Sequence, residues 1–219
     1  MINIIEQEKI FISIGKALGR KIEAYAIGGT ALMLHGIKPA TLDVDIVLQN
    51  EKDREYLMET MKNIGYKDSD YRLVYKDKKE GVPKMLMGEE ARFDFFLSKI
   101  ITSTFSEKMK ERADEIHEFG NNFILKAAHP TDIAIMKSAT DRDKDDNDIV
   151  LVYEKKMIDW KIMLDEINEQ VKLGNEMAIL DLGYKLEKLT NAKKIEVPKD
   201  FSDNLWEMLN RQVDKKGKG

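Results

Sequence analysis

The chain has 219 residues, 42% of them hydrophobic and 35% charged, which is enough for one large domain or for a domain with a smaller companion. Its formal net charge of −4 excludes a global attraction to nucleic acid or to an anionic membrane surface. It contains no cysteine, which excludes disulfides, thiolate metal sites and a cysteine nucleophile, and its three histidines lack the spacing of metal ligands. There is no apolar run of membrane-spanning length and no secretory signal, so we expect a cytoplasmic protein without a membrane partner.

Helices and strands alternate in the first part of the chain. The apolar periodicity predicts helices over 3–18, 29–36 and 51–64, strands over 24–28, 43–48 and 92–97, an extended segment over 66–76 and a turn over 77–81. A Gly-Gly turn over 28–29 separates the first strand from its helix.

After Pro130 the pattern becomes helical. Helices are predicted over 131–140, 145–156, 159–173, 175–190 and 201–213, and the basic residues 215–219 are expected to form a disordered tail. The sequence therefore predicts an α+β fold with an α/β core: a small mixed sheet flanked by helices, followed by a C-terminal helical bundle. We place the first domain at 1–129 and the second, helical domain at 130–219.

Carboxylates interrupt two otherwise apolar strands. Asp43 and Asp45 are two residues apart and project from the same face of their strand. Asp94 lies within Phe93-Asp94-Phe95-Phe96, where its neighbours require burial, and a buried carboxylate needs a partner. A pair of hard cations shared by the three carboxylates would provide one, with oxygen ligands favouring Mg²⁺ or Mn²⁺. The alternative is that Asp43 and Asp45 lie on a solvated sheet face.

The turn formed by Gly28, Gly29 and Thr30 comes directly before the carboxylate strand. Glycine lets the backbone approach a ligand closely, and the amides that open a helix attract phosphate. The turn is therefore a candidate phosphate cradle beside the carboxylates, although such a sequence also occurs in ordinary turns.

These residues resemble the sequence signature of a known superfamily. Gly28-Gly29-Thr30, a spacer of twelve residues and Asp43-Val44-Asp45 are similar to the GG[ST]…DxD signature of the DNA polymerase β-type nucleotidyltransferase superfamily, and Asp94 matches its third carboxylate. Where many relatives have an arginine before the DxD motif, this chain has Lys38, which cannot make a bidentate guanidinium contact. The preferred nucleotide is therefore open.

A second segment resembles the AbiE-type toxin nucleotidyltransferases and their uncharacterised archaeal and bacterial relatives. It runs from Asp132 to Ile149 and contains Lys137, Arg142, Asp145 and Asp148. Lys137 could neutralise charge on a triphosphate, whereas Arg142, Asp145 and Asp148 would hold the helix junction or the lysine. The alternative is that the charged run over 141–148 is simply a solvated helix start.

The resemblance implies an enzyme, a transferase that moves a nucleoside monophosphate from ATP or another NTP to a hydroxyl acceptor. Asp43, Asp45 and Asp94 would be the metal-binding and catalytic carboxylates, together with Lys137 as a catalytic residue. Gly28, Gly29, Thr30, Lys38 and Arg142 would bind the nucleotide, and Asp145 and Asp148 would support them.

The acceptor is left open by the sequence. An RNA or tRNA end or a protein hydroxyl would fit, in a toxin–antitoxin system with a cognate antitoxin as partner. The alternatives are a catalytically silent binding or antitoxin module and an aminoglycoside-like small-molecule nucleotidyltransferase.

Overall fold

The computed structural model describes residues 1–75 and 80–216. The chain divides into two compact units, Met1–His129 and Pro130–Gly219. Within the described ranges, no helix is long and apolar enough to cross a membrane.

The first unit mixes strands and helices. In chain order it contains β1 (Ile2–Asn3), α1 (Ile4–Ala17), β2 (Ile22–Ala26), α2 (Gly28–Leu34), β3 (Ala40–Thr41), β4 (Asp43–Leu48), α3 (Glu51–Asn63), β5 (Lys67–Ser69), a 3-10 turn (Tyr71–Leu73), β6 (Lys84–Met87), β7 (Arg92–Phe96), β8 (Lys99–Ile100), β9 (Ser103–Thr104), α4 (Glu107–Arg112), β10 (Glu115–Phe119) and β11 (Phe123–Ala127).

One mixed sheet organises this unit. Among the described residues it has seven strands in the order β10-β11-β2-β4-β7-β6-β5. The pairs β11–β2 and β4–β7 are parallel, whereas β2–β4, β6–β7, β5–β6 and β10–β11 are antiparallel. The two carboxylate-bearing strands, β4 and β7, are therefore direct neighbours near the middle of the sheet.

The core of the first unit lies between the sheet and its helices. A capping box between Asn3 and Glu6 begins α1, which places Phe11 and Ile14 in the core. The ring of Phe11 packs against Phe93 of β7 and Phe123 of β11. This burial fixes one face of β7, so the alternate residues of that strand project from the opposite face.

The second unit is helical throughout its described part. It contains α5 (Pro130–Ser138), α6 (Asp143–Glu154), α7 (Trp160–Lys172), α8 (Ala178–Asn191) and α9 (Lys199–Lys216). Its core contains Ile135 of α5, Ile149 of α6, Ile167 of α7 and Leu186 of α8. The amphipathic faces of these helices thus share one hydrophobic core of their own.

The predicted fold class is confirmed, because a mixed sheet flanked by helices precedes a helical C-terminal part. The sheet is larger than the small one predicted, since β6, β10 and β11 were not foreseen. The sequence of β10 mixes charged and apolar residues, and that of β11 is a short apolar run whose periodicity does not separate strand from helix.

Other differences are local. β2 begins at Ile22, two residues before the predicted start. Of the predicted extended segment, only Lys67–Ser69 forms a strand, and residues 76–79, including most of the predicted turn, lie outside the described residues. α9 extends to Lys216, into the segment expected to be a disordered tail, and residues 217–219 lie outside the description.

Candidate active site

The parallel pairing of β4 with β7 brings the three predicted carboxylates to one face of the sheet. Asp45 pairs with Asp94 in register, and Asp43 pairs with Arg92. Val44 and Phe93, which alternate with them, are fully buried in the core on the other face. Residues directly opposite each other on neighbouring strands have side chains within contact range, so this register creates a shared acidic site.

Arg92 joins two of these carboxylates. Its Nε atom donates to Oδ1 of Asp94 at 2.8 Å, and its Nη2 atom donates to Oδ2 of the same residue at 3.1 Å. Nη2 also donates to Asp43. The fork-like contact with Asp94 is the geometry in which guanidinium and carboxylate bind most strongly. Sequence reasoning missed Arg92, although an arginine two residues before a buried aspartate in a strand was the available signal.

Tyr75 contributes a second contact to Asp94. Its hydroxyl donates to Oδ2 of Asp94 at 2.7 Å, and its ring meets Phe96 edge-on. Burial, followed by the nearby carboxylates of Asp45 and Asp94, raises the pKa of Tyr75 above its usual range, so the phenol stays protonated and remains a donor.

Asp94 itself is completely buried. Burial raises the pKa of its carboxyl group, while the hydrogen bond from Tyr75 and the charge of Arg92 oppose that rise. Both carboxylate oxygens accept hydrogen bonds, Oδ1 from Arg92 and Oδ2 from Arg92 and Tyr75. Asp94 is therefore a buried acid whose charge is held by two neighbouring side chains.

The Gly-Gly turn packs directly against Asp45. Gly28 has a φ of +56°, and a Cβ there would lie 2.6 Å from Oδ2 of Asp45. The hydroxyl of Thr30 accepts a hydrogen bond of 2.9 Å from the backbone N–H of Asp45. Both contacts fix Asp45, and both depend on the residue types of the turn: glycine for the close approach and threonine for the acceptor.

Lys38 and Thr41 return to the same turn. A Cβ at Gly29 would collide with Oγ1 of Thr41 and would lie 3.9 Å from Nζ of Lys38. The structure thus brings the predicted nucleotide-binding residues Gly28, Gly29, Thr30 and Lys38 together with Asp45. The hydroxyl of Thr30 is directed to the strand backbone.

The donor set of this site suits a hard divalent cation, since Asp43, Asp45 and Asp94 offer only carboxylate oxygens. A Cβ at Gly28 would lie 2.6 Å from Oδ2 of Asp45, so there is no room for a side chain beside this carboxylate. As the side chains stand, the described residues contain no group of three or more histidine, cysteine, aspartate or glutamate side chains arranged to hold a metal ion. Two of the three carboxylates bind Arg92 instead.

The remaining predicted residues lie in the second unit, where they contact one another. Nζ of Lys137 lies 2.7 Å from Oδ1 of Asp145 and 2.8 Å from Oδ2 of Asp148. Arg142 and Thr140 also donate to Asp145. Lys137 belongs to α5 and the two aspartates to α6, so this network joins the two helices.

The charges of this cluster are tightly paired. Burial favours neutral Lys137, but Asp145 and Asp148 outweigh it and raise the lysine pKa. Burial likewise favours neutral Asp145. The charge of Lys137 and the hydrogen bonds that Lys137 and Thr140 donate to Asp145 nevertheless lower the pKa of Asp145 to about 2. Lys137 is largely buried, whereas half of the Arg142 side chain is exposed. Arg142 is thus the more accessible of the two cations.

Comparison with known families identifies the class of protein. A family model described as a nucleotidyltransferase of unknown function (DUF6036) matches residues 16–194, which include the acidic site and the Lys137 cluster. The chain is therefore a nucleotidyltransferase, as the sequence predicted. It belongs to the DUF6036 family, and the closer relationship to AbiE-type toxins stays a prediction.

Two solved structures resemble the chain weakly. One is ANT(2″)-Ia in complex with adenylyl-2″-tobramycin, with 11% identity, a TM-score of 0.46 and coverage of 83% of this chain and 98% of the other. The second is described as a nucleotidyltransferase from H. pylori, with 14% identity, a TM-score of 0.41 and coverage of 97% and 95%. No curated protein sequence matches the chain. With TM-scores below 0.5, neither likeness bears on the substrate of this protein.

Proposed function

We propose that this protein transfers a nucleoside monophosphate from an NTP to a hydroxyl acceptor in a reaction that depends on Mg²⁺ or Mn²⁺. The observation that carries the proposal is the register of β4 and β7, in which Asp45 lies opposite Asp94 while Asp43 shares their face. Three carboxylates on adjacent strands are the donor set that phosphoryl-transfer sites use for divalent cations.

Asp43, Asp45 and Asp94 would hold the cations. When bound, such ions stabilise the negative charge that develops on the transferring phosphoryl group. The Gly28–Gly29 turn lets the backbone approach the triphosphate, and Lys38 supplies a positive charge beside it. Thr30 holds the strand that carries Asp45, and Asp94 orients the attacking hydroxyl and accepts its proton.

For the cluster around Lys137 we propose mainly a structural role, with a role in catalysis as the secondary proposal. Lys137 makes ion pairs with two buried aspartates, Asp145 and Asp148, which favours a role in joining α5 to α6. Neutralisation of the pyrophosphate leaving group by Lys137, with Arg142 contacting the nucleotide, remains the catalytic proposal for this cluster.

The acceptor classes are an RNA or tRNA end, a protein hydroxyl and a small-molecule hydroxyl. A toxin–antitoxin role, with a cognate antitoxin and a cytoplasmic location, belongs to the first two classes. Separate incubations with tRNA, cell protein and an aminoglycoside distinguish the three, because the label moves to products of different size.

The test is nucleotide transfer from each of four labelled NTPs in Mg²⁺ or Mn²⁺, using wild type and Asp45→Asn. We expect Asp45→Asn to reduce transfer by about a hundredfold or more, since a carboxylate ligand to the cation is worth several kcal/mol in the transition state. Asp68→Asn is the matched control, because Asp68 is exposed on β5, with Oδ2 2.9 Å from Nζ of Lys62. If wild type and Asp45→Asn are equally inert with every NTP and acceptor class, the enzymatic proposal fails.

One observation favours a second candidate, a catalytically silent binding module. Both oxygens of Asp94 already accept hydrogen bonds from Arg92 and Tyr75. Calorimetry with ATP and Mg²⁺ separates the two candidates, because tight magnesium-dependent binding without turnover of any NTP would identify the module.

A further inference from the structure

The acidic site contains its own cation. Arg92 is the residue that faces Asp43 across the β4–β7 pairing, and it precedes Asp94 by two positions on the same strand. Its side chain therefore projects from the same face as all three carboxylates. Because both contacts follow from strand register, the guanidinium is positioned by the sheet itself.

The contacts of Arg92 are those of a counter-ion. It binds both oxygens of Asp94 and one oxygen of Asp43, and only 18% of its side chain is exposed. Buried carboxylates are costly without a partner charge, and Asp94 has no solvent exposure at all. The same oxygens are the ones that a divalent cation would need, so guanidinium and metal compete for them.

Tyr75 strengthens the hold on Asp94. Its hydroxyl uses Oδ2, the oxygen that also accepts from Nη2 of Arg92. A cation that approaches Asp94 therefore has to replace a charged donor and a neutral one. The contact from Tyr75 is the weaker of the two, because the uncharged phenol makes one hydrogen bond, whereas the guanidinium makes two and adds the attraction of opposite charges.

We propose that Arg92 is a positioning residue that holds Asp43 and Asp94 together as an internal counter-ion, and that divalent metal binding displaces its guanidinium from them. This inference rests on the proposed function, since it concerns the same carboxylates. Arg92 then weakens metal binding by competition and keeps the carboxylates together until the metal arrives. The strength of metal binding is thereby set by a side chain that is not a ligand.

The experiment measures Mn²⁺ and Mg²⁺ affinity of the full chain by titration calorimetry, without NTP. We expect Arg92→Gln to bind the metal about tenfold more tightly or better, since an opposite charge at this range alters ionic equilibria of a carboxylate by one to three powers of ten. Arg92→Lys, which keeps the charge without the fork, should lie between wild type and Arg92→Gln. Tyr75→Phe should tighten binding by a smaller factor.

Arg20→Gln is the matched control. Arg20 pairs with Asp53 at 2.7 Å on an exposed part of the same unit, so this substitution removes the same charge away from the site. Its metal affinity should equal that of wild type. If wild type binds metal and folded Arg92→Gln binds it no more tightly, the inference is overturned and the proposed function stands. If neither protein binds metal, even with NTP, the metal site of the proposed function fails as well.

A measurement on wild type covers the case in which Arg92→Gln does not fold. In protein labelled with ¹⁵N-arginine, the Nε–H of Arg92 should give a distinct NMR resonance because it donates to Asp94. Saturating Mg²⁺ should shift this resonance toward that of a solvated arginine. A resonance that stays unchanged at saturation overturns the inference.

Discussion

Gly28 shows how a single residue can constrain the position of a candidate metal ligand, Asp45. Its φ of +56° and the 2.6 Å between an added Cβ and Oδ2 of Asp45 are two separate requirements for glycine. The first concerns the backbone of the turn and the second concerns the site. A glycine with only the first requirement, Gly36, is available in the same unit for comparison: its φ is +64° and an added Cβ would meet nothing within 4 Å.

We therefore expect Gly28→Ala and Gly36→Ala to differ in activity far more than in stability. Each substitution should lower the free energy of unfolding by about 1–2 kcal/mol, the cost of a side chain in the left-handed region. Only Gly28→Ala should also reduce nucleotide transfer, by about a hundredfold, because it displaces the carboxylate of Asp45. Urea unfolding and the transfer assay measure the two effects. Equal activity of the two variants would show that the position of Asp45 is not needed.

At the scale of elements, the charged run over 141–148 is partly buried, and two of its aspartates contact the preceding helix. Asp145 and Asp148 are 0% and 3% exposed and point to Lys137 on the preceding helix. The sequence predicted that these residues would hold the helix junction or the lysine, with a solvated helix start as the alternative. Their burial and their ion pairs with Lys137 favour the first two over the solvated start.

Lys137→Met should lower the free energy of unfolding by about 3–5 kcal/mol, because it removes the buried positive charge that forms ion pairs with two buried carboxylates. Lys172→Met is the control, since Lys172 is 60% exposed and lies 3.4 Å from Glu169, a surface pair worth about 0.5 kcal/mol or less. Chemical denaturation of both variants measures the difference. A Lys137→Met variant of near wild-type stability with greatly reduced transfer would favour the catalytic role of this lysine over the structural one.

At the scale of the whole molecule, each unit has a hydrophobic core of its own. The core of the first unit is built on the sheet and α1, and that of the second on α5 to α9. Polar contacts reinforce the second core: Nζ of Lys185, a buried residue of α8, donates to Asp146 of α6. Separate cores are the property that allows separate folding.

We expect fragments 1–129 and 130–216 to fold independently. Each should show a cooperative thermal transition by circular dichroism, and the second should have an almost purely helical spectrum. The full chain provides the reference for both transitions. A fragment that shows no cooperative transition would mean that its core depends on the rest of the chain.

Periodicity and residue type were sufficient for the main elements and for the common face of Asp43 and Asp45. Alternation predicted the 43–48 strand with its true bounds and put Asp43 and Asp45 on one face, because side-chain direction in a strand follows from spacing alone. The β10–β11 hairpin was not foreseen, because neither strand has a periodic signal strong enough to separate it from helix or loop.

The sequence by itself determined the candidates for the chemistry: a Gly-Gly turn, a DxD strand and a third aspartate in an apolar strand. Only the tertiary structure decided their partners. Arg92 reaches Asp43 over 49 positions of the chain, and Tyr75 reaches Asp94 over 19. These pairings follow from the register of neighbouring strands and from burial, which local sequence does not encode. The carboxylates were therefore predictable, whereas the cation that holds two of them was not.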